Sequence, residues 1–369
     1  MRIAAICAFP ADLNPGMLSV DAALHQFLSR HRINAEVQMF NAVDAVEVAG
    51  GGPALPPISH RKLSDPLELE AYDIILYWGD FLHSWRYLHH DVRVVSPPER
   101  RSAPGFHDKA MATLLLEGAP DSLLQKVICF GGSLYINRPE HDADARYNNA
   151  IRRLYSNARL TLMRDPMSAA LAQNYGARGP TLGVDAAFLM SKGSKPAREG
   201  PVGYSFGRIR WFRPIRFRLR PFARRLAGTL GKELANIDWL NVDAGRASRD
   251  LADRIEAIRN CSVVVTDTYH CAITAWREGV PAICLGLGAE YRSSTLADKK
   301  KELMLGMFNA GAYHLYLENL RGIIGGGAQA HHYAELVKNS AVVDAIGQNI
   351  AYATELAEQR LAKALGGAG

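Results

Sequence analysis

Five consecutive residues, Thr266-Asp267-Thr268-Tyr269-His270, gather the hydroxyl, carboxylate and imidazole groups that serve proton transfer and anion binding. They follow the β-branched run Val263-Val264-Val265, which reads as a strand buried on both faces. The composition turns helical from His270 to Glu278, Gly279 offers a C-terminal cap, and Val280 to Leu285 reads as a second apolar strand. Thr266 to His270 therefore falls at the carboxyl end of a parallel strand and at a helix N-terminus. Backbone N–H groups and the helix dipole favour an anion there. His270 falls on the first helical turn, and the ordinary titration range of an imidazole suits proton transfer near neutrality to whatever those N–H groups hold. An imidazole in that place is equally served as a half-buried group satisfied by a carbonyl.

Fixed positive charge is available from several places. The net charge of +6 is unevenly spread, and Arg208 to Arg225 holds eight arginines interleaved with Trp211, Phe212, Phe217 and Phe222. Such a stretch suits a phosphorylated substrate or an anionic membrane surface, or is simply a solvated loop. Nucleic acid is not expected, because no recognition motif accompanies the charge. Arg208 falls just past the strand predicted over Val202 to Phe206, where it can help hold an anion. Lys299, Lys300 and Lys301 are consecutive on a helix predicted over Tyr291 to Leu305, so they point in different directions and one or two at most share a face. Arg164, Asp165, Pro166 and Ser168 mark another strand-helix junction, with Asp165 suited to the N-cap and Pro166 to the first helical position.

The elements that must position these groups alternate along the chain. Strands are expected over residues 3–9, 37–40, 73–77, 126–130 and 160–163, with helices between them. Asn14-Pro15-Gly16 makes the first turn, where Asn14 and Gly16 let backbone pass close to a bound group, or simply close a βα loop before a helix from about Ser19. The strand at 73–77 runs into Trp78-Gly79-Asp80, and His83, Trp85, Tyr87, His89 and His90 follow. Asp80, His83 and His89 lack a diagnostic metal spacing, and no Cys-x-x-Cys pair is present, so no metal is expected. Met190 to Gly200 reads as a linker. The division expected is residues 1–195, residues 196–340, and a terminal helix over 341–369 with Val343, Ile346, Ile350, Ala353, Ala357 and Leu361 on one stripe. That helix either crosses back onto the first domain or makes a contact within a homo-oligomer.

With 369 residues and 48% hydrophobic content, the chain has the composition of two soluble globular domains. No apolar run reaches the ~18 residues that span a bilayer. The opening MRIAAICAF suits a first strand better than a secretory signal, which implies a cytoplasmic protein. Five cysteines, an odd number near predicted buried strands, fit reduced thiols.

The segment Thr266, Asp267, His270, Gly279, Val280, Pro281 resembles the C-terminal signature of the polysaccharide pyruvyl transferase family. A second part of the resemblance is Arg164-Asp165-x-x-Ser168 with Gly183-Val184-Asp185-Ala186-Ala187-Phe188, and a lysine-bearing helix start at Lys299 and Lys300 also belongs to the pattern. This chain departs from it in carrying Thr268-Tyr269 where the family has Arg-Leu. The resemblance is specific over Arg164 to Phe188 and Thr266 to Lys301. It implies an α/β architecture of two Rossmann-like domains facing each other across a cleft, the GT-B arrangement, with the acceptor side first and the donor side second.

The resemblance further implies transfer of pyruvate from phosphoenolpyruvate to a pair of sugar hydroxyls, free or on a lipid-linked oligosaccharide, in bacterial exopolysaccharide biosynthesis, with no metal or organic cofactor. His270 and Asp267 are then the catalytic pair, and Arg164, Arg208, Thr266, Thr268, Tyr269, Lys299 and Lys300 surround the donor. Asn14, Gly16, Asp80, His83 and Asp185 are assigned to the acceptor. Two other readings stay open: a GT-B glycosyltransferase using a nucleotide sugar, and a non-catalytic scaffold that meets the inner membrane face through Arg208 to Arg225.

Overall fold

The computed structural model describes residues 1–8, 14–48, 50, 57–96, 105–134, 143–193, 198–208, 217–240, 247–287, 296–320 and 322–366. These residues divide into two compact units, Met1–Met190 with Ala353–Gly369, and Ser191–Tyr352.

The first unit carries β1 (Arg2–Ile6), β2 (Glu36–Asn41), β3 (Val46–Val48), β4 (Ile58–Lys62), β5 (Ile74–Trp78), β6 (Val127–Gly132) and β7 (Leu160–Met163), in the order β3-β4-β2-β1-β5-β6-β7. All neighbours are parallel except β3 and β4. The central strands are unbroken apolar runs because both faces are covered. Ala4, Ile6, Phe40, Ile75 and Tyr77 meet one core with residues of α2 (Phe106–Leu115) and α3 (Ala145–Asn157). Helix α1 (Pro15–Arg30) begins four residues before the expected Ser19. Pro15 occupies the first turn, and the Asn14 carboxamide accepts the Gly16 N–H at 2.9 Å. In α4 (Pro166–Asn174), Asp165 caps the Ser168 N–H at 2.8 Å, as the sequence predicts.

The second unit carries β8 (Val202–Ser205), β9 (Leu234–Asn236), β10 (Val263–Thr266), β11 (Ala282–Gly286) and β12 (His314–Tyr316), all parallel, in the order β12-β11-β10-β8-β9. Its helices are α5 (Leu219–Leu230), α6 (Ala247–Arg259), α7 (Tyr269–Arg277), α8 (Leu296–Met307) and α9 (Gly322–Lys338), and α10 (Ser340–Ala364) runs on into the first unit's sequence range. The fold is thus α/β, two Rossmann-like sheets followed by a long terminal helix. On α10, Val343, Ile346, Ile350, Ala357 and Leu361 are buried, as the 3-4 spacing requires.

Each sheet reverses its direction of growth once beside its first strand. After β1 the chain builds outward through β2, then returns to lay β5 on the other side; after β8 it lays β9, then returns to lay β10. Such reversals leave a crevice at the carboxyl ends of the two strands concerned. In the second unit those ends are Phe206–Arg208 and Asp267–His270.

Candidate active site

The crevice between β8 and β10 is stitched by Asp267. Its carboxylate, fully buried, accepts the backbone N–H of Gly207 (3.1 Å) and of Arg208 (3.0 Å), and the Thr268 hydroxyl at 3.2 Å. Thr266 is equally committed: its hydroxyl donates to the Ser205 carbonyl at 2.9 Å and accepts the Thr268 N–H at 3.0 Å. These bonds hold the two strand ends together and fix where α7 begins. Asp267 and Thr266 therefore shape the site. Arg208 is held by its backbone, with its side chain exposed at the strand end.

Thr268 is the N-cap residue of α7, and its side chain makes no capping hydrogen bond among the described residues. The positive end of the helix dipole lies at Tyr269, His270 and Cys271. Tyr269 is buried and His270 half-buried, with ring centres 5.1 Å apart in an edge-to-face arrangement. Lys300 brings its ammonium over the Tyr269 ring, 4.5 Å from the centroid. A cation on α8, an aromatic ring, an imidazole and a helix N-terminus are thus neighbours.

The three consecutive lysines take three different environments, as their helical spacing demands. Lys299 is exposed and pairs with Glu302 at 3.1 Å. Lys301 is buried, donating to the Leu285 carbonyl at 2.7 Å and to Asp298 at 2.8 Å. Close to them His314 packs against Gly286, where a Cβ would come within 2.6 Å of Nε2. Burial, reinforced by the Lys301 charge, pushes the His314 imidazole down to about 4. Sequence reading missed this group, because β12 is three residues long and His314 carries no local motif.

The remaining predicted residues lie in the first unit. Arg164 is buried, pairs with Asp185 at 3.0 Å and lies over the Phe81 ring at 4.5 Å; Asp185 also caps the turn at Ala187. Asn14 and Gly16 are the cap and first turn of α1. Asp80 follows Gly79, both in the left-handed region, where a Cβ on Gly79 would press to 2.8 Å from Val20. His83 is a core histidine, between Tyr77 and Tyr155 and bonded to the Tyr155 hydroxyl at 3.1 Å; burial pushes it down to about 3. Nearby, His89 stacks on Trp85 at 4.1 Å and pairs with Asp144 at 3.2 Å, a contact that spacing alone does not reveal. A cavity of about 290 Å³ lined by Lys62, Val92, Ser96, Phe106 and Lys109 opens elsewhere in this unit.

Of the arginine-rich stretch, residues 209–216 lie outside the described residues. Phe222 is buried against Tyr333, so α5 spends that aromatic on the core, whereas Phe217 is exposed. Among the described residues no helix is long and apolar enough to cross a membrane. All five cysteines are buried and unbridged, and burial pushes the Cys284 thiol up to about 12.

The model of the family described as polysaccharide pyruvyl transferase matches residues 105–288. No curated protein matches the sequence. Among solved structures, a Listeria monocytogenes protein described as a UDP-N-acetylglucosamine 2-epimerase aligns over 99% of this chain and 95% of its own, at 12% identity and a TM-score of 0.51. An alpha,alpha-trehalose 6-phosphate synthase from Burkholderia multivorans aligns over 98% and 97%, at 11% identity and a TM-score of 0.47. At such identities the first of these is a likeness of fold alone.

Proposed function

The chain belongs, over residues 105–288, to the polysaccharide pyruvyl transferase family, and on that premise we propose that it is a transferase moving pyruvate from phosphoenolpyruvate onto two hydroxyls of a sugar, free or lipid-linked. The observation that carries this reading is Lys300 over Tyr269 beside His270, at the start of α7 and at the reversal between β8 and β10.

In this reaction the enol methylene takes a proton, leaving an oxocarbenium-like carbon that one sugar hydroxyl attacks with loss of its proton. The second hydroxyl then displaces phosphate, and the products are a ketal with a new methyl group and inorganic phosphate. The chemistry needs an acid near the methylene and positive charge around the carboxylate and phosphate. We assign the proton donor to His270 and the fixed charge to Lys300, the α7 dipole and the exposed Arg208. Asp267 holds Arg208 and the helix start in register. Thr268-Tyr269 removes the arginine of the family pattern, and Lys300 over Tyr269 supplies a cation at the same helix start.

The test is a thermal-shift titration of the purified protein with phosphoenolpyruvate, beside UDP- and GDP-sugars and inorganic phosphate. A saturable rise in Tm with phosphoenolpyruvate alone, with transfer abolished in His270→Ala and its melt unchanged, is the expected result. A rise with a nucleotide sugar alone would replace this chemistry with glycosyl transfer.

A further inference from the structure

Cys7, Asp21 and His60 lie far apart in sequence and converge under α1 in the first unit. Cys7 continues β1, donating its N–H to the Phe40 carbonyl at 2.8 Å. Ala4, Ile6 and Ala8 belong to the core on one face of the sheet, so Cys7 points to the other. His60 on β4 is in register with Met39 of β2, and Asp21 descends from the second turn of α1. All three are buried, at 1%, 3% and 1% exposure in the order Cys7, Asp21, His60. Their donor atoms lie within 4.8 Å of one another, and His60 Nε2 is 3.2 Å from Asp21 Oδ2.

This cluster leaves polar atoms unanswered. Both ring nitrogens of His60 and Oδ2 of Asp21 are sealed from solvent; Nε2 and Oδ2 face each other at 3.2 Å as an ion pair out of hydrogen-bond alignment, and Nδ1 has no hydrogen-bond partner among the described residues. The Cys7 thiol meets the Ala5 carbonyl at 3.8 Å and hydrogen-bonds the Asp21 carboxylate. Burying a carboxylate this way is costly unless a cation or donors offset it.

We propose that Cys7, Asp21 and His60 form a binding site for one zinc ion inside the first unit. Sulfur, nitrogen and carboxylate oxygen are the donors zinc takes, at about 2.0–2.3 Å, so tetrahedral ligands sit about 3.3–3.8 Å apart. The His60–Asp21 distance already fits, and the sulfur need close by no more than about an ångström. A thiolate, a carboxylate and a neutral imidazole balance the charge of the ion, and Cys7 releases its proton to solvent on binding. Three protein donors converge, so water would fill the fourth tetrahedral position. The ion ties α1 to β1 and β4.

The test uses the untagged full chain, stripped with a chelator and dialysed against zinc. About one zinc per chain by elemental analysis, with a raised Tm, is expected. Cobalt substitution of the wild type should give a thiolate-to-cobalt charge-transfer band, lost in Cys7→Ser and retained in Cys129→Ser. Zinc below about 0.1 per chain with no Tm change in the wild type overturns the proposal, independently of how any variant folds. So does a cobalt spectrum indifferent to Cys7→Ser.

Discussion

Lys300 Nζ stands 4.5 Å from the centre of the Tyr269 ring, while Lys299, its neighbour in sequence, is turned outward to Glu302. One residue of helical rotation, about 100°, separates a cation aimed at the start of α7 from one spent on the surface.

That difference is testable in kinetics. Lys300→Ala should lower kcat/KM for pyruvyl transfer by roughly 10- to 100-fold, because it removes charge from the position assigned to the donor anion. Lys299→Ala should leave it within about twofold, as expected for an exposed pair. Steady-state assays of phosphate release on both variants check this; equal losses would remove Lys300 from the donor site.

Acid should destabilise both units in a defined window. His83 is pushed down to about 3 and His314 to about 4 from an ordinary 6.5, chiefly by burial. A depressed imidazole is neutral when folded, so the unfolded chain binds more protons below 6.5. The stabilising contribution is therefore whole above about pH 6.5 and lost as pH falls toward 4 and then 3. Melts between pH 7.5 and 4 should show a falling Tm, with a shallower slope in His314→Gln than in the wild type.

The buried pair of Arg164 and Asp185 predicts a stability phenotype. Arg164→Met leaves the Asp185 carboxylate without its guanidinium in a dry setting, and should cost about 3–5 kcal/mol. Asp185→Asn keeps the cap on Ala187 and should cost less. Urea unfolding monitored by tryptophan fluorescence measures both; a wild-type midpoint in Arg164→Met would mean the pair contributes nothing.

Much of the site in the second unit was legible because it is local: a β-branched run, a polar stop, a helix and a glycine mark the β10–α7 unit in consecutive residues. The commitment of Asp267 to Gly207 and Arg208 was not, since it depends on β8 and β10 being neighbours. His83, which the resemblance assigns to the acceptor, is turned by the fold between two core tyrosines. Helix α9 escaped notice because Gly325-Gly326-Gly327 argues against helix by propensity, whereas packing on α5 overrides it. Cys7, Asp21 and His60 carry no spacing pattern at all; only sheet register brings them together.

The bonds from Asp267 to Gly207 and Arg208 close a loop of about sixty residues, and Lys300 arrives later still. Contacts of such separation form late, after the entropy of closing the intervening chain has been met. During synthesis the strands of the first sheet are complete by Met163, long before α8 leaves the ribosome. A product cut short before residue 296 would carry the strands of the first sheet but lack Lys300, so under the proposed function donor-dependent protection from proteolysis would require translation past α8.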